Sequence, residues 1–248
     1  MNERNPAAQR ALAGGEIHLW RLRPEPDADL ARYLRMLGAE ERDRAARFRF
    51  PHLRHNFTSD HGRMRRILSA YAGIAPEDLV FQANEYGKPE LANREAADLP
   101  GRLRFNLSHT EGMTLLALCI DSDLGVDVEA VRPMSDLELI ARSHFSASEI
   151  AALEAVDASD RQRVFFRCWT RKEAFLKAHG SGLSIPLDSF AVSLADEETP
   201  TLLECRWGPG ENQRWSLFSL DPGKEFIGAV AVGRGDWRIH WFDWEESQ

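Results

Sequence analysis

Asp127 and Glu129 stand two residues apart in the pentapeptide GVDVE, residues 125–129. Alternation with Val126 and Val128 predicts a strand, which sends both carboxylates to one face and both valines to the other. Two like charges held side by side repel. A hard divalent cation relieves that repulsion, and Mg²⁺ binds readily through a few carboxylates together with oxygens of a phosphorylated substrate. For the pair alone, an exposed strand end explains the spacing as well. A second set lies in RQRVFFRCWTRKEAFLKAHGSGLS, residues 161–184, where Trp169, Glu173 and Lys177 recur at i, i+4 along one side of a predicted helix. Taken alone, that is a solvated Glu–Lys pair beside a packing tryptophan. Taken with GVDVE, Glu173 supplies a third carboxylate for the same ion, and Lys177 with Lys172 supplies cations for phosphate oxygens. Arg44, Lys88 and His109 offer further anion contacts from the first half of the chain. The inventory fits a bound pyrophosphate, which specifies phosphoryl chemistry but not the phosphorylated molecule.

These residues need elements to hold them. In the 161–184 stretch Val164, Phe165, Cys168, Ala174, Phe175 and Leu176 give the buried face of a helix, and Gly180 with Gly182 gives its stop. Towards the amino terminus, residues 16–22 alternate as a strand closed by Pro24 and Pro26. A short helix then takes Asp27 and Asp29 in its first turn, and another from Ala39 carries Arg42, Arg44 and Arg47. A longer helix over 51–72 has an arginine-rich outer face and ends near Gly73. Residues 79–82 read as a short strand, and NEYGKP, residues 84–89, as a turn that presents Lys88. Residues 103–107 form a strand running into Ser108, His109 and Thr110 and make a hairpin with 113–120; GVDVE follows a turn at 121–123 as a second strand pair. Helices are predicted over 136–143 and 147–156, the latter with Ser146 and Glu149 as a capping box. Five strands after residue 188 complete the second half. Strands and helices without βαβ regularity indicate an α+β fold.

A faint repeat relates Phe57 to Phe166: each is followed by an apolar residue at +10, a glycine at +16 and a phenylalanine at +24. It implies two pseudo-symmetric halves, residues 1–122 and 123–248, each a helix packed on a small, mainly antiparallel sheet with a ligand cleft between them.

Composition narrows the classes. With 248 residues and 43% hydrophobic content the chain can bury an ordinary core. The start, MNERNPAAQR, has no apolar core, and no run is long enough to span a bilayer, so a cytoplasmic protein without membrane attachment is expected. Three widely separated cysteines lack metal-site spacing and read as reduced thiols. A net charge of −8 argues against nucleic acid as partner, although eight arginines crowd residues 42–66 and allow a local anion site.

The succession EYGKPEL, FNLSHT, GVDVE and WTRKEAFLKAHGSGLS resembles the 4′-phosphopantetheinyl transferase superfamily in its long, surfactin-synthetase-associated form, over residues 40–194. The resemblance implies an enzyme that moves the phosphopantetheine arm of coenzyme A to a serine of an apo acyl or peptidyl carrier protein, in fatty-acid, polyketide or peptide synthesis, and releases adenosine 3′,5′-bisphosphate. It implies Asp127, Glu129 and Glu173 as ligands of Mg²⁺ or Mn²⁺. Arg44, Lys88, Asn106, Ser108 and His109 would hold the coenzyme, with His109 near the ribose 3′-phosphate, and Lys177 would sit by the scissile pyrophosphate. Glu173, directly or through a water, is then the expected base and Lys177 the expected acid, in a monomer with the coenzyme between its halves. One departure is Glu41, where some members carry a lysine; Arg47 or Arg54 is the expected substitute contact. Two other classes stay open on sequence: a module that binds coenzyme A or carrier without turnover, and a Mg²⁺-dependent pyrophosphatase.

Overall fold

The computed structural model describes residues 11–25, 29–93, 99–196 and 199–244. The first ten residues, Pro26 and Asp27, on which parts of the sequence reading fell, lie outside them. In chain order the first elements are β1 (Glu16–Leu22), α1 (Leu30–Met36), α2 (Ala39–Arg47), α3 (Pro51–Ala72), β2 (Phe81–Ala83), β3 (Pro89–Leu91), β4 (Leu103–Thr110) and β5 (Met113–Ile120). There follow β6 (Leu124–Ala130), α4 (Leu137–His144), α5 (Ala147–Glu154), α6 (Arg161–His179), β7 (Phe190–Val192), β8 (Leu202–Cys205), β9 (Trp215–Leu220), β10 (Phe226–Gly233) and β11 (Arg238–Asp243).

The architecture is α+β in four layers. One sheet has the order β11-β1-β5-β4 and the other β6-β10-β9, with β2–β3 and β7–β8 as separate hairpins. Every residue of β5 is buried, because both faces of its sheet are covered. Leu116, Leu118 and Ile120 meet Met64, Ile67 and Leu68 of α3 on one side. Leu115, Ala117 and Cys119 meet Val126, Val128, Val230 and Val232 of the second sheet on the other. Helix α6 covers the outer face of that second sheet through Phe165, Phe175 and Leu176 against Leu217, Ala229 and Ala231. Each long helix ends on a left-handed glycine, Gly73 at φ 67° and Gly180 at φ 77°, where a side chain would strain the backbone. The stop for α6 is thus Gly180, two residues before the glycine that the repeat paired with Gly73. No helix among the described residues is long and apolar enough to cross a membrane.

Three sequence expectations are corrected. Strand β6 does not pair with β5. Both edges of β5 are taken by β1 and β4, so the chain turns at Asp121 (φ 55°) into the second layer and pairs with β10. Strand β11 does not complete the second half either: it returns to the first sheet, parallel to β1. Finally, the arginines of α3 are not all on an outer face. Arg63, Arg65 and Arg66 are buried; Arg63 donates to Arg23 O at 2.6 Å and Arg65 to Pro76 O at 2.6 Å. Their multiple donors satisfy carbonyls of irregular segments that no ladder reaches.

Candidate active site

The site forms where β6, β4 and α6 converge. Helix α6 crosses β6 closely because position 125 has no side chain: a Cβ on Gly125 would stand 2.7 Å from the Lys177 carbonyl carbon and closer still to Ala174 O and Ala178 N. This approach carries the polar stripe of the helix to the carboxylate face of β6.

Lys177 Nζ donates to Asp127 Oδ1 at 2.6 Å, to Ser108 Oγ at 2.9 Å and to Val126 O at 3.2 Å. Ser108 Oγ in turn donates to Asp127 Oδ1 at 2.9 Å. Asp127 is 5% exposed, and its second oxygen, Oδ2, is buried with no hydrogen-bond partner. An orphaned carboxylate oxygen beside further acids is a place where a bound cation would be stabilised. Glu129 and Glu173 agree with it. Burial first, and then the charge of Asp127, push both carboxyls above the usual glutamate range, and Lys177 offsets this only in part.

No group of three or more His, Cys, Asp or Glu side chains among the described residues is gathered closely enough to hold a metal ion unaided. Mg²⁺ binds through a few carboxylates and completes its shell with water and substrate phosphate oxygens. The donor set present, all oxygen with an orphan at Asp127, fits such an ion.

The coenzyme-side expectations divide. Lys88 and Asn106 line a cleft of about 250 Å³ together with Tyr86, Glu173, Lys177 and Gly180. Asn84 positions the NEYGKP turn there: its side chain donates to Gly180 O at 2.8 Å and accepts from Lys88 N at 2.9 Å. Lys88 Nζ donates to Ala178 O at 3.0 Å, at the negative end of α6, and burial, aided by Arg104, lowers its pKa. Asn106 Oδ1 accepts from Val126 N at 2.9 Å. Larger clefts of about 700 and 680 Å³ run along β9 and hold none of these residues.

Arg44 and His109 are not in the carboxylate cluster. His109 alternates with Ser108 on β4 and so faces the α3 side, opposite Thr114, whose hydroxyl donates to Asp60 of α3 at 2.8 Å. The exposed guanidinium of Arg44 lies 5.2 Å from the ring of Phe57, one turn before Asp60. His109 therefore lies on the face of β4 away from the carboxylates, Arg44 stands beside α3, and Lys177 and Lys88 lie on the inner side. Arg47 and Arg54 are exposed. Glu41 is occupied: Oε2 accepts from Gly38 N at 2.9 Å and Arg65 Nε at 2.6 Å, which caps α2 and ties it to α3.

Lys172 is corrected outright. It is 0% exposed and bonded to both oxygens of Glu149 at 2.8 and 2.6 Å, facing away from the cleft, so it meets no phosphate. Its place beside Glu173 in sequence puts it about 100° round the helix, inside the core. Trp169 packs on the core as expected, with its ring 6.0 Å from that of Phe165. Sequence reasoning missed Thr110, whose hydroxyl donates to Glu129 Oε2 at 3.3 Å. The signal was present: Asn106, Ser108 and Thr110 place polar groups at every second position of a strand.

Two family models match the chain. One described as the 4′-phosphopantetheinyl transferase superfamily covers residues 123–231, and one described as 4′-phosphopantetheinyl transferase, N-terminal, covers residues 20–120. Among curated proteins, the 4′-phosphopantetheinyl transferase HetI of Nostoc is 36% identical over 92% of this chain and 92% of its own length. The 4′-phosphopantetheinyl transferase Sfp of Bacillus subtilis is 33% identical over 69% of this chain and 73% of its own. A putative 4′-phosphopantetheinyl transferase of Synechocystis is 31% identical over 75% and 73%. With 36% identity sustained over 92% of this chain and of HetI, and the carboxylate–lysine cluster within the matched region, this protein belongs to the 4′-phosphopantetheinyl transferase superfamily.

Proposed function

We propose that this transferase moves the 4′-phosphopantetheine arm of coenzyme A to a serine hydroxyl of an apo acyl or peptidyl carrier protein, leaving the holo carrier and adenosine 3′,5′-bisphosphate. The observation that carries the reading is the Lys177–Ser108–Asp127 cluster beside an unpartnered Asp127 oxygen and two carboxyls kept basic by burial. The separation of anion contacts supports it further: Lys177 and Lys88 line the inner side of β4, while His109 lies on its other face and Arg44 beside Phe57 of α3, which matches a ligand with a pyrophosphate and a distant ribose phosphate.

In this proposal Asp127, Glu129 and Glu173 would hold Mg²⁺, for which Mn²⁺ could substitute, and the ion, when bound, would neutralise charge on the pyrophosphate. Lys177, fixed at the cleft by Asp127 and Ser108, meets a pyrophosphate oxygen and gives a proton to the departing bisphosphate. Glu173 takes the serine proton, a task suited to a carboxyl whose basicity burial has raised. The serine oxygen bonds to the nearer phosphorus as the bond to the bridging oxygen breaks. Lys88 and Asn106 line the path of the coenzyme, and Arg44 and His109 take its ribose phosphate.

We place the division between halves near residues 122 and 123, with β11 as the segment of the second half that crosses back, and we take the enzyme to be a cytoplasmic monomer. The free thiols Cys119, Cys168 and Cys205 accord with a reducing compartment. The test is Glu173→Gln: coenzyme A binding by calorimetry is retained and transfer is lost. Near-normal transfer would remove Glu173 from the base role.

A further inference from the structure

Strands β4 and β6 lie side by side at the site yet belong to different sheets, with no backbone ladder between them. Side chains of β4 take its place. Asn106 Oδ1 accepts from Val126 N at 2.9 Å, and four residues further on each strand Thr110 Oγ1 accepts from Ala130 N at 3.2 Å. These contacts satisfy edge N–H groups of β6 that a neighbouring strand would otherwise satisfy. Between them, Ser108 bonds Asp127.

Thr110 does two things at once. Its oxygen accepts the Ala130 N–H, and its proton goes to Glu129 Oε2 at 3.3 Å. Its own backbone is fixed, because Thr110 pairs with Met113 across a tight hairpin turn closed by Gly112 at φ 85°. We propose that Thr110 is a positioning residue: it carries the register of the rigid β4–β5 hairpin across to the end of β6 and aims the Glu129 carboxylate at the metal-binding edge. The proposal rests on the reading of Glu129 as a metal ligand. Such hydrogen bonds fix the rotamer of a ligating carboxylate before the ion arrives, and their loss weakens metal binding about 10–100-fold.

Thr110→Val keeps the branched shape and strand preference while it removes the hydroxyl; Thr110→Ser keeps the hydroxyl. Mn²⁺ binding to each protein with coenzyme A, followed by electron paramagnetic resonance, should show about tenfold weaker affinity for Thr110→Val and recovery to within about threefold for Thr110→Ser. Coenzyme A affinity without metal stays unchanged in both, and transfer by Thr110→Val is restored at saturating Mg²⁺, which a general loss of structure would not allow. Wild-type Mn²⁺ affinity in Thr110→Val overturns the proposal, as does equal weakening in Thr110→Ser. If wild-type protein with coenzyme A holds no Mn²⁺ at all, the ligand reading of Glu129 falls first. Mn²⁺ binding by wild type that Glu129→Gln leaves unchanged has the same meaning.

Discussion

Gly125→Ala is the substitution that most directly probes how the fold makes the site. The added Cβ would lie 2.7 Å from the Lys177 carbonyl carbon and nearer to two other backbone atoms of α6. Carbon atoms rest at about 3.5–4.0 Å, so α6 must retreat from β6 by about 1 Å. None of the clashing atoms belongs to a side chain that could swing aside. Lys177 Nζ, now 2.6 Å from Asp127 Oδ1, would move beyond hydrogen-bond reach, and Glu173 would withdraw with it. Overpacking of this size costs about 1–3 kcal/mol of stability, and a 1 Å misplacement at a reacting centre costs about 100-fold in rate. Thermal unfolding gives the first quantity; the initial rate of carrier modification by intact mass gives the second. A variant that is folded and transfers within about threefold of wild type would refute the claim that close helix–strand approach builds the site.

Other consequences are as specific. Lys172→Met should lose about 3–5 kcal/mol by leaving Glu149 buried without its cation. The double variant Glu149→Met/Lys172→Met should be more stable than the sum of the single losses by at least about 2 kcal/mol in denaturant unfolding, and additive losses would contradict the pair. Glu41→Gln should cost about 1–3 kcal/mol near pH 7, since it weakens bonds to Arg65 and His61. Burial raises the Glu41 pKa, but His61, Arg65 and the Gly38 N–H outweigh it and the net shift is down. The contribution is therefore present above the unfolded-state pKa and vanishes as pH falls through the lower folded value. The gap between wild type and variant should close below about pH 4.

Much of the site was legible because its signals are local. The strand period places Asp127 with Glu129 and the helix period places Glu173 with Lys177, and the structure keeps both relations. What failed needed tertiary information. Lys172 reads like its neighbour Lys177, and only the packing of α5 against α6 reveals that its partner is Glu149. His109 and Ser108 are adjacent in sequence, but on a strand adjacency means opposite faces, so one serves the α3 side and the other the carboxylates. The parallel return of β11 and the refusal of β6 to pair with β5 depend on which strand edges are already filled. Gly125 reads as an ordinary strand glycine until α6 is laid across it.

Transfer to a carrier is read from the intact mass of a purified apo carrier protein after incubation with coenzyme A, Mg²⁺ and this protein. One phosphopantetheine should be added at a serine, and no product should form once the metal is chelated. A panel of apo carriers left unmodified by folded protein that binds coenzyme A would contradict the proposed transfer.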